Sequence, residues 1–82
     1  MSGAASARVT LYAKPGCHLC EDAREIIERV CAEVGTTYEE VDITTSPDLV
    51  DAYGEQIPVT LVDGARHDFW RVDEDRLRAA LG

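Results

Sequence analysis

At residues 14–20 the chain has the sequence KPGCHLC, which places Cys17 and Cys20 at the spacing C-x-x-C. The five residues before it, Val9–Ala13 (VTLYA), are rich in β-branched and aromatic side chains and predict a strand. After it, apolar residues recur at steps of three and four, which predicts one face of a long helix. These residues are Leu19, Ala23, Ile26, Ile27, Val30, Cys31 and Val34. The two thiols are therefore expected where a strand gives way to a helix, one helical turn apart.

Two shorter elements are predicted in the middle of the chain. Residues Thr37–Ile43 (TYEEVDI) have the composition of a second strand. Ser46 followed by a proline is typical of an N-cap and the first residue of a helix. We expect that helix to cover Pro47–Tyr53 and to end at Gly54.

The last third of the chain predicts a hairpin and a final helix. Residues Ile57–Val62 (IPVTLV) form the third predicted strand. The dipeptide Asp63-Gly64 is typical of a two-residue type I′ turn, so Ala65–Trp70 is expected to return antiparallel as the fourth strand. Asp73 is the predicted N-cap of the C-terminal helix.

The resulting element order, β-α-β-α-β-β-α, predicts an α/β domain with a four-stranded mixed sheet flanked by helices. Its first β-α-β unit predicts parallel strands joined by a right-handed crossover. A chain of 82 residues is expected to form one domain. We assign residues 8–82 to that domain and expect residues 1–7 (MSGAASA) to form a flexible N-terminal tail.

Charge and composition argue against several classes of function. The net charge is −8, and no basic patch typical of a nucleic-acid-binding protein is visible. An acidic balance also disfavours anionic membranes. Residues 1–7 lack the basic and apolar regions of a secretory signal, and no run is long enough to span a membrane. We therefore expect a cytoplasmic monomer that binds neither nucleic acid nor membrane.

The chemistry of the two thiols follows from their place at a helix start. The first N–H groups of a helix lack backbone partners and its dipole is positive there, so a thiolate at Cys17 is favoured. Lys14 adds positive charge that favours the thiolate, whereas the negative charges of Glu21 and Asp22 disfavour it. We predict that Cys17 is the nucleophile. Cys20, which should be less exposed, is predicted to attack a mixed disulfide at Cys17 and to leave a Cys17–Cys20 disulfide.

The same spacing also occurs in metal sites, so the ligand count matters. Structural zinc needs about four ligands. Beyond Cys17 and Cys20, the remaining soft ligands are Cys31, His18 and His67, and no second C-x-x-C is present. We predict no metal site, and we interpret Cys31 as a core residue. A metal or iron–sulfur carrier and a non-catalytic interaction module remain as alternatives to a redox enzyme.

With these residues in view, the chain resembles the glutaredoxin-like proteins of the thioredoxin superfamily, in particular their small bacterial members. The sequences YAKPGCHLC (residues 12–20) and GEQIPVTLVDG (residues 54–64) carry the resemblance, together with the element order. The resemblance implies a thioredoxin/glutaredoxin-like fold. It also implies a dithiol–disulfide oxidoreductase that reduces protein or low-molecular-weight disulfides through its C-x-x-C motif.

The resemblance also implies roles for residues around the thiols. The peptide bond before Pro58 would be cis, with the proline facing the thiols, and the backbone of Ile57 would hydrogen-bond a bound thiol or peptide. Lys14 would face the carboxylate of glutathione. We further predict that His18, between the two cysteines, stabilises the thiolate. No cofactor would be tightly bound, and a low-molecular-weight thiol such as glutathione would serve as reductant.

The chain departs from typical glutaredoxins after the fourth strand. Those proteins have a Gly-Gly-x-Asp turn that holds glutathione, whereas this chain has HDFWRVDED at residues 67–75. The bulky Phe69, Trp70 and Arg71 stand in its place, and we leave open whether Trp70 packs internally or docks a partner. The reductant therefore stays open between glutathione, another small thiol held by Asp73 or Arg71, and a thioredoxin-reductase-type flavoenzyme.

Overall fold

The computed structural model describes residues 8–82, and the predicted tail, residues 1–7, lies outside the described residues. The strands are β1 (Val9–Ala13), β2 (Tyr38–Asp42), β3 (Val59–Val62) and β4 (Ala65–Phe69). The helices are α1 (His18–Val34), α2 (Pro47–Tyr53) and α3 (Glu74–Leu81), and a 3₁₀ turn covers Ile43–Thr45. No helix within residues 8–82 has the length and apolar character needed to cross a membrane.

The four strands form one mixed sheet in the order β2-β1-β3-β4. β1 is parallel to β2 and antiparallel to β3, so that Leu11 lies opposite Glu40 on one side and Thr60 on the other. β4 is antiparallel to β3, with Asp68 opposite Thr60. The predicted fold class is therefore confirmed, including the parallel β-α-β unit and the antiparallel hairpin.

The helices divide between the two faces of the sheet. Neighbouring residues of a strand point to opposite faces. Arg24 of α1 binds Glu40, which shares a face with Leu11, so α1 covers that face. Tyr12 points the other way, and its ring centroid lies 4.8 Å from that of Tyr53 in α2. α2 therefore covers the opposite face, as expected for helices on both sides.

The turn between β3 and β4 has the predicted two-residue form. Asp63 and Gly64 have φ angles of 51° and 85°, both in the left-handed region that a type I′ turn requires. The carboxylate of Asp63 accepts hydrogen bonds from the guanidinium of Arg8, at 3.0 and 2.8 Å. The same guanidinium donates to the carbonyl oxygen of Leu81 at 3.0 Å. Arg8 therefore joins the start of the domain, the hairpin and the last helix.

Four predicted strand ends differ from the structure. β2 begins at Tyr38, one residue after the predicted Thr37. The other three ends differ for local reasons. Ile43 was expected to close β2, but the side chain of Asp42 caps a 3₁₀ turn there by accepting from the Thr44 N–H at 2.9 Å. β3 begins at Val59 and not at Ile57, because Pro58 has no N–H to donate to a ladder. β4 ends at Phe69, since the next residue, Trp70, has φ 64° and leaves the extended conformation.

The apolar face of α1 packs into the core almost as predicted. Its buried residues are Cys20, Ala23, Ile27, Val30 and Cys31. They join a cluster that includes Leu11 of β1 and Leu77 of α3, both fully buried. Leu19, which we placed on the same face, is 37% exposed instead, because Cys20 occupies the inward position of the first turn. This exchange brings one thiol into the core and leaves a leucine at the surface.

Candidate functional site

Cys17 is the N-cap of α1, one residue beyond Gly16, whose φ of 76° turns the chain out of β1. Its own backbone is extended (φ −97°, ψ 113°), and its Sγ accepts a hydrogen bond from the backbone N–H of Cys20 at 3.3 Å. The sulfur thus receives one of the N–H groups that a helix start leaves without a backbone partner. The bond holds the sulfur at the end of the helix where the dipole is positive.

Cys20 lies one turn further on and is fully buried, whereas Cys17 is only partly buried; both are free thiols. Burial raises the pKa of Cys20 to about 11, and the hydrogen bond and charge of Cys17 act in the same direction. The backbone of Lys14 and the charge of Arg24 lower the same pKa. At neutral pH Cys20 is therefore a protonated thiol, and Cys17 is the cysteine of the pair that solvent reaches.

A pocket of about 160 Å³ opens beside Cys17, and Lys14 lies in its wall as well. Two further wall residues, Arg24 and Glu40, form a bidentate ion pair with both N–O distances at 2.7 Å. This pair raises the pKa of the guanidinium and lowers that of the carboxyl group. Sequence analysis missed the Arg24–Glu40 pair because the register of β2 against β1, which brings Glu40 near the thiols, is not encoded in any local pattern.

The other predicted site residues do not line this pocket. His18 is exposed at the first position of α1, while Ile57 and Pro58 are buried and joined by the cis peptide bond that the resemblance implies. Asp73 caps α3, as predicted, by accepting from the N–H of Arg76 at 3.1 Å. The structure therefore brings Lys14 to the same pocket as Cys17, and the substrate-binding roles of all five residues stay predictions.

Trp70 is hydrogen-bonded to the segment that carries the cis proline, an interaction that the sequence did not predict. Its backbone N–H donates to the carbonyl oxygen of Pro58 at 2.8 Å and of Gln56 at 3.3 Å. Its indole N–H donates to the carbonyl oxygen of Glu55 at 3.1 Å. The residue is nevertheless 52% exposed. The only sequence signal for this residue was its bulk at a place where typical glutaredoxins have a glycine turn.

The remaining soft ligands lie elsewhere in the fold. Cys31 is buried on the inner face of α1, as predicted for a core residue, and burial raises the pKa of its thiol. His67 is largely buried in β4, with its Nε2 3.8 Å from Oδ2 of Asp68. Within the part of the chain that the structure describes, no three His, Cys, Asp or Glu side chains are grouped so that they could hold a metal ion.

Alkylation is expected to distinguish the three cysteines of the native protein. With a pKa of about 11, Cys20 has a thiolate fraction at pH 7 that is roughly 300-fold below that of an ordinary cysteine with a pKa of about 8.5. Iodoacetamide should therefore label Cys17 first. The labelling rate of Cys20 should increase as pH rises toward 11, because more of its thiol ionises. Mass spectrometry of digested protein, with a denatured control in which all three react, checks this order; native labelling of Cys20 before Cys17 would contradict it.

The sheet order and the flanking helices define an α/β fold of the thioredoxin-like class. The structure superposes on that of a mutant thioredoxin from Halobacterium salinarum with a TM-score of 0.62, over 89% of this chain and 69% of that chain. At 20% identity, this likeness shows the fold alone. The family model gives a narrower assignment than the fold class does. The model of the Glutaredoxin-like domain (DUF836) family matches residues 8–82, and the chain belongs to that family.

Two relatives are similar over most of their length. An uncharacterized protein of Mycobacterium tuberculosis is 35% identical over 79 residues, which are 90% of this chain and 81% of that protein. The crystal structure of a protein from X. campestris has 36% identity and a TM-score of 0.74, and the match covers 89% of this chain and 93% of that one. The family and the fold are thus shown by independent comparisons. Neither comparison identifies a reaction, which has to be inferred from the chemistry of the thiols.

Proposed function

We propose that this protein is a small dithiol–disulfide oxidoreductase that reduces protein or low-molecular-weight disulfides. One observation carries the proposal: the Sγ of Cys17 caps α1 at the surface, and the thiol of Cys20 is held in the core one turn below. An accessible sulfur that accepts a backbone N–H is suited to nucleophilic attack. A second sulfur that solvent does not reach is suited to resolve the product of that attack rather than to react on its own.

In the first step, the thiolate of Cys17 attacks one sulfur of the substrate disulfide. A mixed disulfide between Cys17 and that half of the substrate forms, and the other half leaves as a thiolate that takes up a proton. In the second step, Cys20 loses its proton and attacks the Sγ of Cys17. The Cys17–Cys20 disulfide forms, the second half of the substrate leaves as a thiol, and the protein has given two electrons to the substrate.

The raised pKa of Cys20 fits this order of events. Two of the causes that raise it, the hydrogen bond and the charge of Cys17, depend on the free outer sulfur. Once Cys17 is in a mixed disulfide, those two causes disappear, while the lowering effects of Lys14 and Arg24 remain. Formation of the intermediate therefore makes ionisation of the resolving thiol easier, and burial keeps that thiol from reacting earlier.

The cycle closes when a reductant returns two electrons to the Cys17–Cys20 disulfide. Two molecules of a small thiol, glutathione or another, would do this by the reverse exchange and would themselves become a disulfide. A thioredoxin-reductase-type flavoenzyme would supply the same two electrons from its dithiol. Either route needs a reducing compartment, and the cytoplasm is the location we propose.

Counting thiols tests the proposal directly. The reduced protein has three free cysteines. One equivalent of 2-hydroxyethyl disulfide should lower the count to one, with Cys17 and Cys20 linked in a single peptide-mapped disulfide. The oxidised protein is then offered glutathione, a second small thiol, or a thioredoxin-reductase system with NADPH, and the count should return to three with the competent reductant. A count that stays at three, or a linkage that uses Cys31, would show that the proposed exchange does not occur.

A further inference from the structure

An exposed apolar surface includes Leu19, which lies within the C-x-x-C motif. Within residues 8–82, the large apolar side chains with substantial exposure are Leu19, Val50, Phe69 and Trp70. Leu19 and Trp70 line opposite walls of one groove of about 360 Å³, which we call the α1–Trp70 groove. Ile26 and Val72 extend its apolar lining, and the ring of Phe69 lies edge-on to that of Trp70, with a centroid distance of 5.1 Å. Exposed apolar patches of this kind on a small domain mark interaction sites.

One wall of the groove starts in the first turn of α1, and the other is held in place by hydrogen bonds. On one wall, Leu19 stands between the two cysteines in sequence and is turned outward. On the other, Trp70 is fixed by its indole bond to Glu55 and its backbone bond to Pro58. The tryptophan is thus presented to solvent in a set position and does not fold into the core. The groove therefore begins at the first turn of α1, the turn that carries Cys20, and Cys17 lines a separate pocket.

The charges on the α1 wall are unbalanced. Asp22 and Glu25 line the groove, and neither has a salt-bridge or hydrogen-bond partner among the described residues. Arg29 is already paired with Glu74 at 2.8 Å. Arg71, on the opposite wall, is the other charged lining residue whose side chain has no partner within residues 8–82. The α1 wall is therefore negative, and the chain as a whole has a net charge of −8.

From these observations we propose that the α1–Trp70 groove binds an extended segment of a disulfide-bearing protein, in which an apolar side chain next to the target cysteine is flanked by lysine or arginine. The proposal rests on the proposed function and names its substrate class. The apolar side chain would pack between Leu19 and Trp70, because tryptophan in such a setting is a typical binding anchor. The basic residue would meet Asp22 and Glu25. Charge complementarity favours this occupant over an acidic peptide or a small anionic thiol.

Three short peptides test the preference. Each contains one cysteine in disulfide linkage to a chromogenic aryl thiol: the first has leucine and two lysines beside it, the second leucine and two glutamates, the third serine and two lysines. The wild-type protein should reduce the first with a kcat/KM about tenfold above either of the others, which corresponds to about 1.4 kcal/mol. The preference for lysine over glutamate should shrink as salt is added.

Matched variants assign the preference to the groove. The double variant Asp22→Lys/Glu25→Lys should lose the preference for the lysine peptide over the glutamate peptide. The control variant Asp48→Lys/Asp51→Lys changes the net charge by the same amount at two exposed positions of α2, and it should keep that preference. Leu19→Ser should lose the leucine-to-serine preference, and Val50→Ser should keep it. Because each comparison is a ratio of two peptide rates within one variant, a change in thiol reactivity cancels.

The outcomes separate this inference from the proposed function. If the wild-type protein reduces 2-hydroxyethyl disulfide but treats all three peptides alike, the groove proposal is wrong and the oxidoreductase proposal stands. Equal loss of the lysine preference in both charge variants would show that net charge, and not the groove, selects the peptide. Failure to reduce either the small disulfide or any peptide would overturn both proposals together.

Discussion

Replacement of Cys17 by serine is expected to abolish disulfide reduction by this protein. Among the three cysteines, Cys17 alone is both partly exposed and hydrogen-bonded through its sulfur to a helix N–H, whereas Cys20 and Cys31 are buried and have raised pKa values. A serine hydroxyl at this place can accept the same N–H, so α1 keeps its cap while the nucleophile is lost. Turnover of 2-hydroxyethyl disulfide, coupled to whichever reductant restores the thiols, measures the effect.

The other two cysteines provide the comparison for that variant. Cys20→Ser should still attack a disulfide but should then accumulate as a mixed disulfide at Cys17, which intact mass spectrometry detects as the added mass of half the substrate. Cys31→Ser should retain turnover, since Cys31 lies in the core and has no part in the proposed exchange. Full activity of Cys17→Ser, or a mixed disulfide found on Cys31, would mean that the nucleophile has been assigned to the wrong residue.

The place of the two thiols at a helix start could be predicted from the sequence because the evidence for it is local. A strand-forming run, a glycine break and an amphipathic helix are all encoded within a few residues of Cys17, and the helix start fixes which N–H groups are available. The same holds for the Asp63-Gly64 turn, whose two positive φ angles are a property of two adjacent residues. Local steric preferences thus suffice to predict the element order and the place of the thiols.

Features that depend on contacts between different helices and strands could not be predicted from the sequence in the same way. The Arg24–Glu40 pair in the thiol pocket requires the register between β1 and β2, and a shift of one residue would point Glu40 to the other face. The outward turn of Leu19 depends on competition with Cys20 for one core position. Trp70 joins two chain segments through main-chain carbonyls, a type of contact that leaves no trace in side-chain composition.

Replacement of Ile27 by alanine is expected to cause the largest loss of stability from a single truncation in α1. Ile27 is fully buried in the core cluster, and removal of a buried isoleucine side chain lowers the free energy of unfolding by about 2–5 kcal/mol. A domain of 82 residues is stable by only about 4–12 kcal/mol, so this change removes a large share of its margin. Urea unfolding followed by circular dichroism measures the loss.

The neighbouring Ile26 supplies a control with the same chemistry and a different environment. Its side chain is only partly buried, because it faces the α1–Trp70 groove, so Ile26→Ala should lower the free energy of unfolding by less than half as much as Ile27→Ala. Helix propensity improves equally in both variants and cancels in the comparison. Equal losses would mean that Ile26 is as deeply packed as its neighbour, and the groove would then be closed in solution. The pair of isoleucines therefore tests the core and the α1–Trp70 groove at once.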